Sequence, residues 1–367
     1  MVRPLEKFFS FGLWQKKSTQ VVGIDIGSSS VKVVQLKKDK GQAVLETYGE
    51  LAIGPYADLA VSQVARLNNE KTAQLLTDLF TEASVTAASC ALAIPLRSSL
   101  LVMVTLPGNI PAATLTKVIP IEARKYVPVP ISEVELDWWV IPPPAVRSEG
   151  GEKKTQVLVA AIHQETISQY RDISQAKGLT PAFFEIETFS ALRAVFSGEM
   201  TVTVILDIGA STSKVTVVDY GIVRLSHTIG KGAQDITLSI ARALGVDFAK
   251  AEEIKRRVGL VEHLEGGDIS STVNTIVEYI FSETNKVLML YQEQQKRAVS
   301  KIVLLGGGAL LKGLLEMAAK SFAAPVELGN PFAKTQAPAF LEKALASTGP
   351  GFAVATGLAL RQLAELR

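Results

Sequence analysis

Two segments of this chain repeat each other without a gap. Residues 21–38 read VVGIDIGSSSVKVVQLKK and residues 204–221 read VILDIGASTSKVTVVDYG. Asp25 falls on Asp207, Gly27 on Gly209, Ser29 on Ser211 and Lys32 on Lys214, all at one constant offset. Each copy is an apolar run, an Asp-x-Gly step, a small-polar cluster and an alternating β-branched run. That order predicts a strand, a tight turn and a second, antiparallel strand. A duplication spaced by half the chain restricts the fold to two related domains facing each other. It excludes a solenoid, whose repeats are short and many. The length of 367 residues suits about two domains with their own cores.

Between and after the repeats, strand and helix signals alternate. Strands are predicted over 43–53, 90–95, 100–106, 134–141, 156–162 and 301–305. Helices are predicted over 70–83, 165–176, 233–243, 251–257, 271–297, 311–319 and 351–366. Pro111 opens a further helix, which Pro120 is expected to interrupt or kink before 121–127. Residues 142–154 read as a loop by composition. Mixed strands and helices in two related halves predict an α/β protein.

Composition removes several function classes. Hydrophobic residues make up 47% and charged residues 20%, which excludes disorder as the main state. A net charge of +2 argues against a protein built to hold nucleic acid. A single cysteine, Cys90, excludes a disulfide framework or thiolate metal cluster and suits a reducing, cytosolic setting. No apolar run reaches the length of a spanning helix. Residues 1–17 carry Arg3, Lys7, Lys16 and Lys17 against Glu6, interleaved with Phe8, Phe9, Phe11, Leu13 and Trp14. This segment reads as a docking arm or as a basic stretch that touches anionic lipid weakly.

No Walker-type loop, dinucleotide fingerprint or nucleophile elbow occurs. The two Asp-x-Gly turns carry the chemistry instead. Glycine lets backbone approach a phosphate, and successive N–H groups in such a turn form an anion nest. Gly27, Ser28, Ser29 and Ser30, with Lys32 beyond them, would serve the first turn. Gly209, Ala210, Ser211, Thr212 and Ser213 would serve the second. Asp25 and Asp207 are placed to hold Mg2+, through water. Gly306, Gly307 and Gly308 follow a predicted strand and would let a base or ribose lie on bare backbone. Gly230 and Gly232 precede a helix, and Glu252 and Lys255 sit on another, where they could contact ribose and base. One such turn alone is explained by hairpin geometry; two in register point to phosphate.

Two phosphate turns, an AEE-x-K helix and a triple-glycine segment together resemble the actin/Hsp70/sugar-kinase ATPase superfamily. Within it the chain resembles the FtsA-like branch, and most closely the PilM family of type IV pilus assembly proteins. The specific likeness lies in IEARKYVPVPISEVELDWWV at 121–140, NPF at 330–332 and GPGFAVATGLALR at 349–361. The resemblance implies an actin-like (ribonuclease H-like) duplicated two-domain ATPase fold with an inserted 1C subdomain. Subdomain 1A would comprise 19–87, 164–198 and 335–367, and 1C would comprise 88–163. Subdomain 2A would comprise 199–231 and 298–334, with 2B at 232–297. It also implies an ATP-binding, Mg2+-using adaptor at the cytoplasmic face of the inner membrane, serving a type IV pilus or a type II secretion system. Its expected partner is the cytoplasmic N-terminal peptide of a PilN-like bitopic protein. The expected groove lies between 1A and 1C and includes Tyr126, Val127, Pro128, Trp138 and Trp139; self-association is a further possibility. Glu185, Glu187 and Thr188 lie near the expected domain connection but in no distinctive motif, so slow or absent hydrolysis is expected. An FtsA-type filament protein and a small-molecule kinase are the competing readings.

Overall fold

A computed structural model gives the architecture and describes residues 19–108, 110–142, 154–260 and 269–366. The expectations for residues 1–17, and for most of the 142–154 loop, lie outside the described residues. The first half runs β1 (Gln20–Ile26), β2 (Ser30–Asp39), β3 (Gln42–Ala52), α1 (Asn69–Glu82), β4 (Ser89–Ile94), β5 (Ser99–Pro107), α2 (Ala112–Ala123), β6 (Val134–Ile141), β7 (Lys154–His163), α3 (Gln164–Ala176), β8 (Thr180–Ile186) and α4 (Glu187–Val195). The second runs β9 (Val202–Ile208), β10 (Ser213–Asp219), β11 (Ile222–Ile229), α5 (Ala233–Leu244), α6 (Phe248–Val258), α7 (Ile269–Gln295), β12 (Val299–Leu305), α8 (Leu314–Ser321), β13 (Val326–Leu328), α9 (Glu342–Thr348) and α10 (Ala353–Glu365).

These strands form two five-stranded sheets of one topology. Their orders are β3-β2-β1-β4-β8 and β11-β10-β9-β12-β13. In each, three antiparallel strands lead and two parallel strands close the sheet. The duplication holds at single-residue resolution: Asp25 pairs across strands with Lys32, and Asp207 with Lys214. β5, β7 and β6 form a separate antiparallel sheet.

Two large buried apolar sets hold the sheets, and the first also takes in Ile205, Val218 and Val303 of the second sheet. Leu75, Leu76, Phe80, Phe183, Phe184 and Phe189 fill the first core. Ile236, Ile240, Val273, Val277, Ile280 and Leu288 from α5 and α7 fill the second. α10 packs on β1 and β2 through Ala355, Ala359 and Leu363, which join Val21, Val34 and Leu36. That approach needs Gly23, because a Cβ there would lie 2.0 Å from the Ala355 carbonyl oxygen.

The fold corrects three expectations. β4 lies between β1 and β8 with all six residues buried, so 89–94 belongs to the first five-stranded sheet and not to the inserted unit. α2 continues through Pro120 and ends at Ala123, so the proline does not interrupt it. Leu115, Ile119 and Ala123 anchor that helix in the small sheet's core, which outweighs the one hydrogen bond that proline forfeits. After the triple glycine the chain makes a 3-10 turn over Gly307–Leu310, and α8 starts only after Gly313. Among the described residues no helix is long and apolar enough to cross a membrane.

Candidate functional site

The two related turns line one cleft of about 810 Å³, which is also lined by α5, α6 and the triple glycine. Each turn closes on itself in the same way. The Gly27 N–H donates to the Ser30 carbonyl at 3.0 Å, and the Gly209 N–H donates to the Thr212 carbonyl at 3.0 Å. The flanking chain then ties each turn down from behind. Ile53 and Ala65 donate backbone N–H groups to the carbonyls of Ser29 and Ser28 (2.9 and 3.1 Å). Ala233 and Gln234, at the start of α5, donate to those of Gly209 and Ala210 (2.9 Å each). With their carbonyls engaged in this way, the turns are suited to an anion.

Most of the residues expected from the sequence line this cleft: Asp25, Gly27, Ser28, Ser29, Ser30, Lys32, Asp207, Gly209, Ala210, Ser211, Thr212, Glu252, Lys255, Gly306, Gly307 and Gly308. Three do not. Ser213 is fully buried, and its hydroxyl donates to the Lys231 carbonyl at 2.8 Å. Gly230 is not among the lining residues. Gly232 backs the second turn: a Cβ there would sit 2.5 Å from the Ala210 carbonyl oxygen, and its N–H donates to Asp235 at the N-terminus of α5. Ser213 and Gly232 shape the wall from behind.

The triple glycine divides its labour. Gly306 holds φ at +82°, and a Cβ there would lie 2.3 Å from the Ile208 carbonyl oxygen and 2.4 Å from an Asp207 carboxylate oxygen. A Cβ at Gly308 would fall 2.4 Å from Ile208 Cγ2. Both therefore let the segment close onto the end of β9. A Cβ at Gly307 would meet nothing within 4 Å, so this glycine borders open cleft.

Glu252 and Lys255 pair at 2.6 Å, and the Thr237 hydroxyl bonds to both. They present a fixed polar edge from α6. Arg256 extends it by donating to Ser62 at 2.8 Å, and the Val64 N–H donates to Gln234 Oε1 at 2.6 Å. Those two bonds join the segment after β3 to the second half across the cleft.

The lining residues that were not placed in the cleft from the sequence include Glu187, Lys214, Gln234 and Arg256. Lys214 could have been found, since the repeat aligns it with Lys32. Glu187 had no local signal; its place at the start of α4 is set by β8 of the first sheet. Its two carboxylate oxygens accept from the Leu96 N–H (2.7 Å) and from Lys214 Nζ (2.6 Å). Lys214 Nζ also lies 3.2 Å from Asp207 Oδ2. Burial pushes the Asp25 carboxyl up to about 6; Lys32 opposes this, and Glu187 and Asp207 add to it. Lys214 is shifted upward, its carboxylate neighbours overcoming the burial that would lower it. Glu185, two residues before Glu187, is structural: it is fully buried between Arg193 (2.7 Å) and Arg361 (2.9 Å). Thr188 is buried as well.

Oxygen donors suit Mg2+ in kind, but here Glu187 is engaged by an ammonium and a backbone N–H, and Asp207 by the same ammonium. Among the described residues no group of three metal-binding side chains forms. A metal held directly by Asp207 or Glu187 would compete with the Lys214 ammonium, whereas the expected hold is through water.

The five groove candidates do not share one face. Val127 is buried with Ala123 and Val134 in the small sheet's core. Trp138 packs on that core, whereas Trp139, one residue on, packs on the main core. Tyr126 is 44% exposed and Pro128 is exposed.

The model of the family described as type IV pilus assembly protein PilM matches residues 23–363. A solved structure described as a PilM-PilN type IV pilus biogenesis complex is 25% identical, with a TM-score of 0.79 over 95% of this chain and 99% of that one. The ethanolamine utilization protein EutJ from Carboxydothermus hydrogenoformans is similar in fold, at 14% identity and TM-score 0.54, over 96% and 92% of the two chains. MreB5 of Spiroplasma citri bound to ADP gives 13% identity and TM-score 0.56, over 96% and 98%.

Proposed function

This chain belongs to the PilM family of type IV pilus assembly proteins, and from that premise we propose that it is a nucleotide-binding adaptor of the pilus assembly platform that holds a PilN-like membrane protein. The observation that carries the nucleotide reading is the pair of identical turns on one cleft, one from each five-stranded sheet. A triphosphate between them would be gripped by backbone N–H groups of both halves. The open face at Gly307 would receive the nucleoside, with Glu252 and Lys255 at its edge.

The first five-stranded sheet with α10 reads as 1A, the β5-β7-β6 sheet as 1C, the second five-stranded sheet as 2A, and α5 to α7 as 2B. The membrane protein's cytoplasmic N-terminal peptide is assigned to the side of 1C that carries Tyr126 and Pro128. Support comes from the solved complex of similar fold and from the exposure of those two residues. Hydrolysis is slow in this reading. Positioning a water is most of phosphoryl-transfer catalysis, and the Glu187 carboxylate is already committed to Lys214 and Leu96.

Calorimetry with ATP on the full chain tests the nucleotide reading, and binding at micromolar to millimolar concentration is expected. No heat and no thermal shift at millimolar ATP would refute it. A labelled N-terminal peptide of the cognate PilN-like protein should bind with a Kd of about 1 μM, typical of short-motif recognition at roughly −8 kcal/mol. Absence of peptide binding at saturating protein would remove the adaptor assignment.

A further inference from the structure

The floor of the cleft brings two carboxylates, Asp207 and Glu187, onto the ammonium of Lys214, with Asp25 lining the same cleft. Lys214 Nζ is 2.6 Å from Glu187 Oε2 and 3.2 Å from Asp207 Oδ2. The side chains are only 17%, 10% and 15% exposed for Lys214, Glu187 and Asp207. Asp25 feels the same ammonium, which opposes the rise of its carboxyl. In so sheltered a place the like charges are weakly screened, so the carboxylates need a cation. A polyphosphate arriving beside them raises that need.

Two ammonium groups lie on the floor, and they are not equivalent. Lys32, the repeat partner of Lys214, pairs with Glu50 at 3.0 Å and donates to Ser30 Oγ at 2.7 Å. It serves the rim of the first turn. Lys214 alone joins both halves of the molecule, since Asp207 lies on β9 and Glu187 begins α4 at the end of β8. It is also rigidly placed, standing on a central strand directly across from Asp207. A fixed positive charge that neutralises carboxylates of both halves beneath a phosphate site does what a divalent ion does elsewhere.

We propose that Lys214 is the resident cation of this cleft, so that nucleoside triphosphate binds without a divalent metal ion. The proposal rests on the nucleotide reading above and specifies its charge balance. Lys214 holds Glu187 and Asp207 together, and the phosphate chain meets the same ammonium as a point charge. A metal ion held directly by Glu187 and Asp207 would have to displace it.

The test is calorimetric titration of ATP into the full chain, in excess EDTA and in excess magnesium. The wild-type Kd should differ by less than about threefold between the two buffers. Lys214→Met removes the cation and leaves the carboxylates, so its ATP affinity in EDTA should fall at least about tenfold and recover with magnesium. Lys214→Arg, which keeps the charge, should stay close to the wild type in EDTA. Wild-type binding that weakens tenfold or more in EDTA overturns the proposal and leaves the nucleotide reading standing. So does Lys214→Met binding ATP in EDTA as the wild type does. Absence of binding in both buffers overturns the nucleotide reading and this inference together. The wild-type comparison decides even if Lys214→Met fails to fold. Mn2+ titrated alone should give no binding signal with the wild-type protein, and a tightly bound ion would contradict the proposal independently.

Discussion

Replacing Gly357 with alanine sets two effects of opposite sign against each other. Gly357 lies inside α10, where that helix crosses α4. On helix propensity alone, alanine would stabilise an interior position by about 1 kcal/mol. The packing argues the other way. A Cβ at 357 would lie 1.8 Å from the Ser190 carbonyl oxygen and 2.5 Å from its carbonyl carbon. Carbon and oxygen in close contact sit about 3.3 Å apart, so the two helices must separate by about 1.5 Å. The obstacle is backbone and has no rotamer with which to escape. Retreat is also resisted on the β1 side, where Gly23 already admits α10 at its limit. A shift of that size stretches the bond from Arg193 to the Gly357 carbonyl (3.2 Å) and the buried pair of Arg361 with Glu185 (2.9 Å). Breaking a buried pair costs about 3–5 kcal/mol and overpacking costs about 1–3 kcal/mol. Partial relaxation leaves a net loss of about 2–4 kcal/mol after the propensity gain. Urea unfolding followed by far-UV circular dichroism reads this directly. With a slope of about 2–3 kcal/mol per molar, the midpoint should fall by about 1 M. A midpoint equal to or above the wild type would refute the reasoning, because propensity would then outweigh a contact that the geometry makes prohibitive.

Gly307→Ala should leave the urea midpoint unchanged, since its Cβ meets nothing within 4 Å, and should weaken ATP binding about tenfold by filling the nucleoside face; unchanged affinity would place the nucleoside elsewhere. Glu185→Gln should lose about 3–5 kcal/mol at neutral pH, because it removes the charge that the buried Arg361 and the half-buried Arg193 share. Burial alone would raise the Glu185 carboxyl, but Arg193 and Arg361 hold it below its ordinary value. Its contribution is therefore complete above the unfolded glutamate value of about 4.3 and is lost as pH falls through the lower folded value. Urea midpoints from pH 7 to 3 should show a steeper acid decline in the wild type than in Glu185→Gln, and parallel profiles would contradict this. Tyr126→Ala should weaken binding of the membrane protein's N-terminal peptide about tenfold with ATP affinity unchanged, measured by fluorescence anisotropy. Full peptide affinity would move the groove away from this residue.

The repeat made the architecture legible because Asp, Gly and Lys hold fixed places in a hairpin whose register a one-residue slip would destroy. Asp25 across from Lys32 and Asp207 across from Lys214 follow from two lines of sequence laid together. What sequence reasoning missed came from neighbours brought together only by the tertiary fold. Glu187 reaches the cleft because β8 lies two strands from β1, a neighbourhood without sequence adjacency. Gln234 and Arg256 are there because α5 and α6 face the segment after β3. The error at 88–94 has a related origin: an all-buried parallel strand has no alternation to say which sheet it joins. The α2 error came from weighing a proline's local cost without the three buried residues that anchor its helix.

The cleft lies where the chain passes between its halves, and both passages touch it. The first is α4, which begins with Glu187 on the cleft floor and leads from β8 toward β9. The second is the return from β13 to α10. On it, the Pro350 carbonyl accepts from the Gly306 N–H at 2.9 Å, and a Cβ at Gly351 would lie 3.5 Å from Lys32 Cε. α10 then packs on β1 of the first half and on α4. Whatever occupies the space between the two turns therefore contacts the same residues that join the two halves. Two ends of one rigid lever, α4 and α10, are locked to each other by Glu185, Arg193 and Arg361. A buried, doubly paired carboxylate at that crossing costs more to desolvate than apolar packing would, and what it supplies is a fixed angle between the two helices.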